Sequence, residues 1–189
     1  MDISQEVINS CAVLAKGGTI IYPTDSIWGI GCDATNQKAI DKIFQIKERP
    51  LEKNMLILVD HVEKIQQYVD KIPKIAWDLI TKTTRPTTFI YPNVKNLPKS
   101  LIASDGSIGI RITTNDFCKR LIRLLGNPIV STSANISGNK PAHYFHEIHQ
   151  EIINQVDYIV NPEISIICDN KPSTIIRFID DYSFEIVRE

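Results

Sequence analysis

A mixed α/β fold, in which a twisted sheet is flanked by helices, is predicted by three features of this chain. Segments with a 3.6-residue apolar period alternate with short β-branched runs. No repeat, low-complexity tract or linker divides them, and one strand-like stretch, 107–112, has two chemically distinct faces. The pattern is that of one domain over residues 1–189.

The elements follow in order. Residues 5–16 read as a helix stopped by Gly17 and Gly18, and 19–22 as the strand after it. Asn36 can cap a helix whose inner face carries Ala39, Ile40, Ile43 and Phe44. Pro50 disfavours helical geometry at Arg49, so this helix should end near Lys47. A short apolar strand spans 55–59, and Pro73 suits the start of a helix with Ile75, Ala76, Leu79 and Ile80 behind it. After a strand at 87–91, a polar loop containing Pro92 and Pro98 leads to 107–112. Asn115 and Gly126 bracket a helix expected to bury Phe117, Leu121, Leu124 and Leu125. Ile129 and Val130 end another strand, a helix is expected over 145–153, and two last strands flank Asp180 and Asp181.

Composition limits the function classes. The 189 residues are 43% apolar and 23% charged, with 21 basic and 22 acidic side chains and a net charge of -1. That balance argues against a protein that coats polyanions, so any affinity for phosphate or nucleic acid must come from a local cluster of cations. Cys11, Cys32, Cys118 and Cys168 form no paired metal motif and read as small hydrophobes in a reducing cytoplasm. No leader and no run of membrane-spanning length is evident, so a cytoplasmic protein without a membrane partner is expected.

The chemistry starts at 107–112. Side chains alternate along a strand, so Ser107, Gly109 and Arg111 share one face while Ile108, Ile110 and Ile112 enter the core. A guanidinium on such a sheet keeps its proton and needs an anionic partner. Gly109 leaves room for that partner to approach, which predicts an anion-binding cavity.

Three clusters address the same cavity. Tyr22 to Gly31 mixes Thr24, Asp25 and Ser26 with Trp28 and glycines, although a capped turn would use the hydroxyls in the same way. Lys47 and Arg49, with Lys53 nearby, can grip a triphosphate from different directions, or simply complement a helix dipole. Ser131 to Gly138 places five hydroxyl or amide side chains directly after an apolar strand, where small residues let donors surround an anion.

Together with Pro172-Ser173-Thr174-Ile175-Ile176, these segments resemble the YrdC/TsaC-type L-threonylcarbamoyladenylate synthases through almost the whole chain, in the expected order. Lys-x-Arg followed much later by Ser-x-Asn is the specific signature. The resemblance implies a YrdC-like twisted sheet around a positively charged cavity. It implies that L-threonine, bicarbonate or CO2, and ATP with Mg²⁺ give threonylcarbamoyl-AMP and pyrophosphate. A separate transferase complex then modifies tRNA, with at most a weak tRNA contact here. Lys47, Arg49, Ser133 and Asn135 match the signature tetrad, the implied catalytic set. Arg49, Lys53, Ser107, Ser133 and Arg188 match ATP contacts, and Ser26, Arg111, Ser131 and Ser173 match threonine contacts. Lys47 would add positive charge at the junction, and no protein side chain is expected to ligate a metal.

The chain departs from the family pattern in places. Ser26 stands for the usual Thr, Trp28 for the usual Tyr, and Leu58 lies where a His often follows an Asn-Pro-Leu segment. The extra C-terminal domain of longer relatives is not found in this sequence. His143, His146 and His149 diverge around a helix and make a poor metal site. A phosphate loop of the Gly-rich Lys-Ser or Lys-Thr type is lacking. Two other readings remain: a ribosome-associated or RNA-binding module, whose affinity would fall with salt without needing threonine, and carbamoyl transfer to another acceptor.

Overall fold

The computed structural model describes residues 2–50, 55–164 and 171–189, so Lys53 and Cys168 lie outside the described residues. Nine strands form one sheet among them: β1 (Ile20–Tyr22), β2 (Gly29–Gly31), β3 (Leu56–Val59), β4 (Thr87–Tyr91), β5 (Ile108–Ile112), β6 (Ile129–Ser133), β7 (Tyr158–Ile159), β8 (Thr174–Phe178) and β9 (Phe184–Arg188). The spatial order is β7-β1-β2-β6-β3-β5-β4-β8-β9. Pairs β1–β7, β3–β5 and β4–β8 are parallel and the others antiparallel, so the sheet is mixed. The helices are α1 (Ile3–Ala15), α2 (Gln37–Ile46), α3 (Lys74–Lys82), α4 (Asp116–Leu125) and α5 (Gln150–Ile153).

Strand alternation divides the sheet into two faces. Ile57, Val59, Phe89, Tyr91, Ile108 and Ile110 point to one side and pack with Ala39, Ile40, Ile43 and Phe44 of α2 and Ala76 of α3. On the other side Val7 and Leu14 of α1 and Phe117, Leu121 and Ile122 of α4 cover Ile20, Tyr22, Leu58 and Ile129. The same face continues past those helices as Leu56, Gly109, Arg111 and Ser131, which line a cavity. One end of the face is core and the other is site.

Local chemistry explains the helix ends. Asn36 and Asn115 each accept a main-chain hydrogen bond from the first turn, at 3.1 Å from Ala39 and 3.0 Å from Cys118. Gly126 closes α4 in the left-handed region at φ 79°. Helix α2 ends differently: Glu48 N–H donates to Gln45 O at 3.0 Å and Arg49 N–H to Phe44 O at 2.9 Å. This is a Schellman turn with Glu48 at φ 47° in place of the usual glycine. It reverses the chain so that Lys47 enters the protein and Arg49 reaches the cavity.

Three sequence expectations need correction. The strand expected to end at Ile129 and Val130 runs on to Ser133, so Ser131 and Ser133 are strand residues and the polar loop starts later. Ladder bonds to β2 and β3 on either side hold those serines extended. The helix expected over 145–153 is a 3₁₀ turn at Phe145–Glu147 and the short α5, with Ile148 extended between them. Glu147 accepts the N–H groups of His143 and Tyr144 at 2.8 and 3.1 Å, and Ile148 turns into the core, which interrupts the helix. Leu124 is 55% exposed, while Cys118 and Ile122 are buried instead. Leu124 falls about 20° beyond Phe117 around α4, at the edge of the apolar stripe.

Candidate active site

The cavity has a volume of about 340 Å³. Its floor is the outer halves of β3, β4, β5 and β6, which contribute Leu56, Thr88, Gly109 and Ser131. A Cβ built on Gly109 would lie 3.1 Å from Thr88 Cγ2 and 3.3 Å from Leu56 Cβ, so glycine keeps the floor flat between its neighbours. Every charged residue in the described lining is an arginine: Arg49, Arg111, Arg177 and Arg188.

Arg111 is 3% exposed, and its anionic partner belongs to the protein itself. Nη2 lies 3.2 Å from Oδ1 of the fully buried Asp25, and Nη1 donates to Ser26 Oγ at 3.1 Å. The main-chain N–H of Thr114 donates to Asp25 Oδ2 at 3.2 Å and holds the carboxylate in place. The expectation that an outside anion must satisfy this guanidinium is therefore corrected. Thr24 fulfils the turn role foreseen for it, since Thr24 Oγ1 donates to Ile27 O at 2.7 Å and accepts from Ser26 N–H at 3.1 Å. It also lines the cavity.

Lys47 is fully buried and is not part of the lining. Its ammonium donates to the carbonyls of Ser133 and Asn135, the latter at 2.6 Å, while Ser137 N–H donates back to Lys47 O at 2.9 Å. Burial, and secondarily the charge of Arg49, lower the Lys47 pKa to about 7. Asn135 also stands behind the wall: its Nδ2 donates to Ile136 O at 2.9 Å and Asn139 O at 2.8 Å. The signature tetrad thus splits, with Arg49 and Ser133 at the cavity and Lys47 and Asn135 bracing it.

The remaining site residues meet in one place. Ser107 donates to Asp105 Oδ1 at 2.5 Å, and that hydrogen bond holds the Asp105 carboxyl below its usual range. Asp105 Oδ2 in turn accepts from Arg177 Nη1 at 3.1 Å. Arg188 donates to Ser173 O from Nε at 3.1 Å and from Nη2 at 2.7 Å, and Ser173 Oγ lies 3.0 Å from Thr88 Oγ1. Burial, and then the charge of Arg111, lower the Arg188 pKa; burial lowers that of Arg49. Leu58 sits opposite Arg111 in the β3–β5 register but is enclosed in the second core, away from the cavity.

Sequence reasoning overlooked Asp25 as a partner, and Thr88 and Arg177 as lining, while Trp28 lines the cavity as its cluster suggested. The signal for Arg177 was alternation, because Ile175 and Arg177 share the face of β8 that the register sets beside Thr88 and Ile90. The three histidines do not converge, and no group of three metal-ligating side chains exists among the described residues. No helix among them is long and apolar enough to cross a membrane.

The Sua5/YciO/YrdC family model, described as telomere recombination, matches residues 12–189. A threonylcarbamoyl-AMP synthase from Pseudoalteromonas translucida is 37% identical over 166 residues, covering 86% of this chain and 87% of its own. One from Acinetobacter baumannii is 30% identical over 164 residues, covering 83% and 87%. Among solved structures, E. coli YciO superposes with a TM-score of 0.82 at 27% identity, over 100% of this chain and 90% of that one. P. abyssi Sua5 complexed with L-threonine superposes with a TM-score of 0.85 at 22% identity, and this chain spans 54% of its length. On the model match and these relatives, the chain belongs to the Sua5/YciO/YrdC family.

Proposed function

We propose that the chain is an L-threonylcarbamoyladenylate synthase, which forms threonylcarbamoyl-AMP and pyrophosphate from L-threonine, bicarbonate or CO2, and ATP. The observation that carries this reading is one cavity in which four arginines meet the hydroxyls of Ser26, Ser107, Ser131, Ser133 and Ser173. Bacterial relatives named for this activity support it.

The ammonium of threonine first loses a proton to solvent, and the free amine adds to CO2 with loss of a second proton to water. The resulting carbamate is an anionic nucleophile that needs no protein base at the phosphoryl step. Its oxygen attacks the α-phosphate of ATP and pyrophosphate leaves. The protein positions and screens: Arg49 and Arg188 counter phosphate charge, and Arg111 with Ser26 and Ser131 holds the amino acid. Lys47 and Asn135 keep the Ser133 segment in register. A lining of arginines and hydroxyls offers donors, so it fits Mg²⁺ carried on the nucleotide phosphates better than a protein-ligated ion. When bound, that metal neutralises phosphate charge.

The product is an activated acyl donor, and in this reading a separate transferase consumes it for tRNA modification in the cytoplasm. A concave site with a buried arginine suits small substrates more than an RNA backbone, which would need an exposed basic face. Purified protein given ATP, Mg²⁺, bicarbonate and threonine should yield threonylcarbamoyl-AMP by mass spectrometry, and withholding threonine alone should abolish it. Salt-sensitive RNA binding without that product would overturn the reading.

A further inference from the structure

Two lining arginines carry a carboxylate partner, but that of Arg177 is half exposed while that of Arg111 is enclosed. Asp25 is wholly buried and does not line the cavity, yet it lies 3.2 Å from the guanidinium that does. Thr114 N–H and the Arg111 contact fix it there, and no route leads it to substrate. The Arg111 charge is therefore cancelled before any ligand arrives. A cation with an enclosed counter-charge attracts a free anion weakly, whereas a molecule carrying both charges loses little by it.

We propose that Asp25 is a specificity-determining residue: by compensating Arg111 it makes this end of the cavity accept a zwitterionic amino acid and turn away simple anions, phosphate included. The inference rests on the synthase reading and deepens it. Asp25 touches no substrate and acts through Arg111. ATP and threonine both bring anionic groups into one cavity, so without this compensation the phosphates and pyrophosphate would compete for Arg111. The phosphates are thereby directed toward Arg49 and Arg188, while Arg177 stays paired with Asp105.

The test compares L-threonine with 3-hydroxybutanoate, the same skeleton without the ammonium group, and with inorganic phosphate, by calorimetry and displacement of labelled threonine. Wild-type protein should bind threonine at least about tenfold more tightly than 3-hydroxybutanoate, the ratio expected from one compensating charge at short range. In Asp25→Asn that preference should shrink, and phosphate should displace threonine at least about tenfold more readily. A wild-type protein that binds both organic ligands equally overturns the proposal even if the variant does not fold. So does a folded Asp25→Asn variant with unchanged preference and unchanged phosphate displacement. A purely structural role for Asp25 would weaken all three ligands together. Failure of wild-type protein to bind threonine at all would instead refute the synthase reading, and this inference with it.

Discussion

Lys47 donates its ammonium to the main-chain carbonyls of Ser133 and Asn135, which joins the end of α2 to the segment that leaves β6. Two parts of the sequence separated by more than eighty residues become one wall of the cavity. A neutral amine still carries two donors, so the brace survives loss of the proton.

Lys47→Met fills similar volume without the brace, and both Ser133 and Asn135 carbonyls lose a partner. Turnover measured as threonine-dependent pyrophosphate release should fall on the order of 100-fold, the usual cost of a misplaced stabilising group. Near-normal turnover would remove Lys47 from the site's support.

The same lysine gives a pH signature. Its pKa falls from 10.5 to about 7 in the fold, so between those values the unfolded chain binds more protons. Its contribution to stability is unfavourable below about pH 7 and is relieved as pH rises toward 10.5. Denaturation midpoints of wild type relative to Lys47→Met should therefore climb with pH across that window. A constant difference would show that the lysine titrates normally.

Arg49→Ala and Arg188→Ala should keep the fold, since both side chains face the cavity rather than the core. Each should raise the KM for ATP or lower kcat by on the order of 100-fold. Threonine affinity should stay nearly unchanged in Arg49→Ala, whereas Arg188→Ala also releases Ser173 and should weaken threonine as well. Steady-state kinetics with each substrate varied separately decides this.

Arg111→Gln should weaken threonine saturation and also destabilise the protein. It strands the buried Asp25 carboxylate, and breaking one partner of a buried pair costs about 3–5 kcal/mol. The double variant Asp25→Asn/Arg111→Gln should recover much of that stability and none of the threonine binding. Equal denaturation midpoints for the single and double variants would contradict the pairing.

Two glycines should differ sharply. A Cβ at Gly31 would sit 2.1 Å from the carbonyl oxygen of Val130, so alanine there must force β2 from β6 and should prevent normal folding. At Gly109 the neighbours are side chains at 3.1 and 3.3 Å, and alanine should cost about 1–3 kcal/mol as overpacking does, with a narrowed cavity. Circular dichroism melts of the two variants would establish the order.

Alternation and capping chemistry were legible in the chain. Asn36, Asn115 and Gly126 end helices where their side chains or backbone freedom require, and the isoleucines of β5 enter the core as their spacing dictates. Local sequence was less informative where competing partners were distant: Ser131 and Ser133 look like loop residues until β2 and β3 are set beside them. Helix 145–153 failed for a local reason, because Glu147 caps the turn before it.

By itself the sequence determined the α/β class, the helix caps and the set of cations and hydroxyls, since each follows from local propensity, spacing and residue chemistry. Only the tertiary structure decided which of those groups line the cavity and which are buried behind it. Charge compensation and burial depend on neighbours far along the chain: Asp25 reaches Arg111 and Lys47 reaches Ser133 only after the sheet has formed.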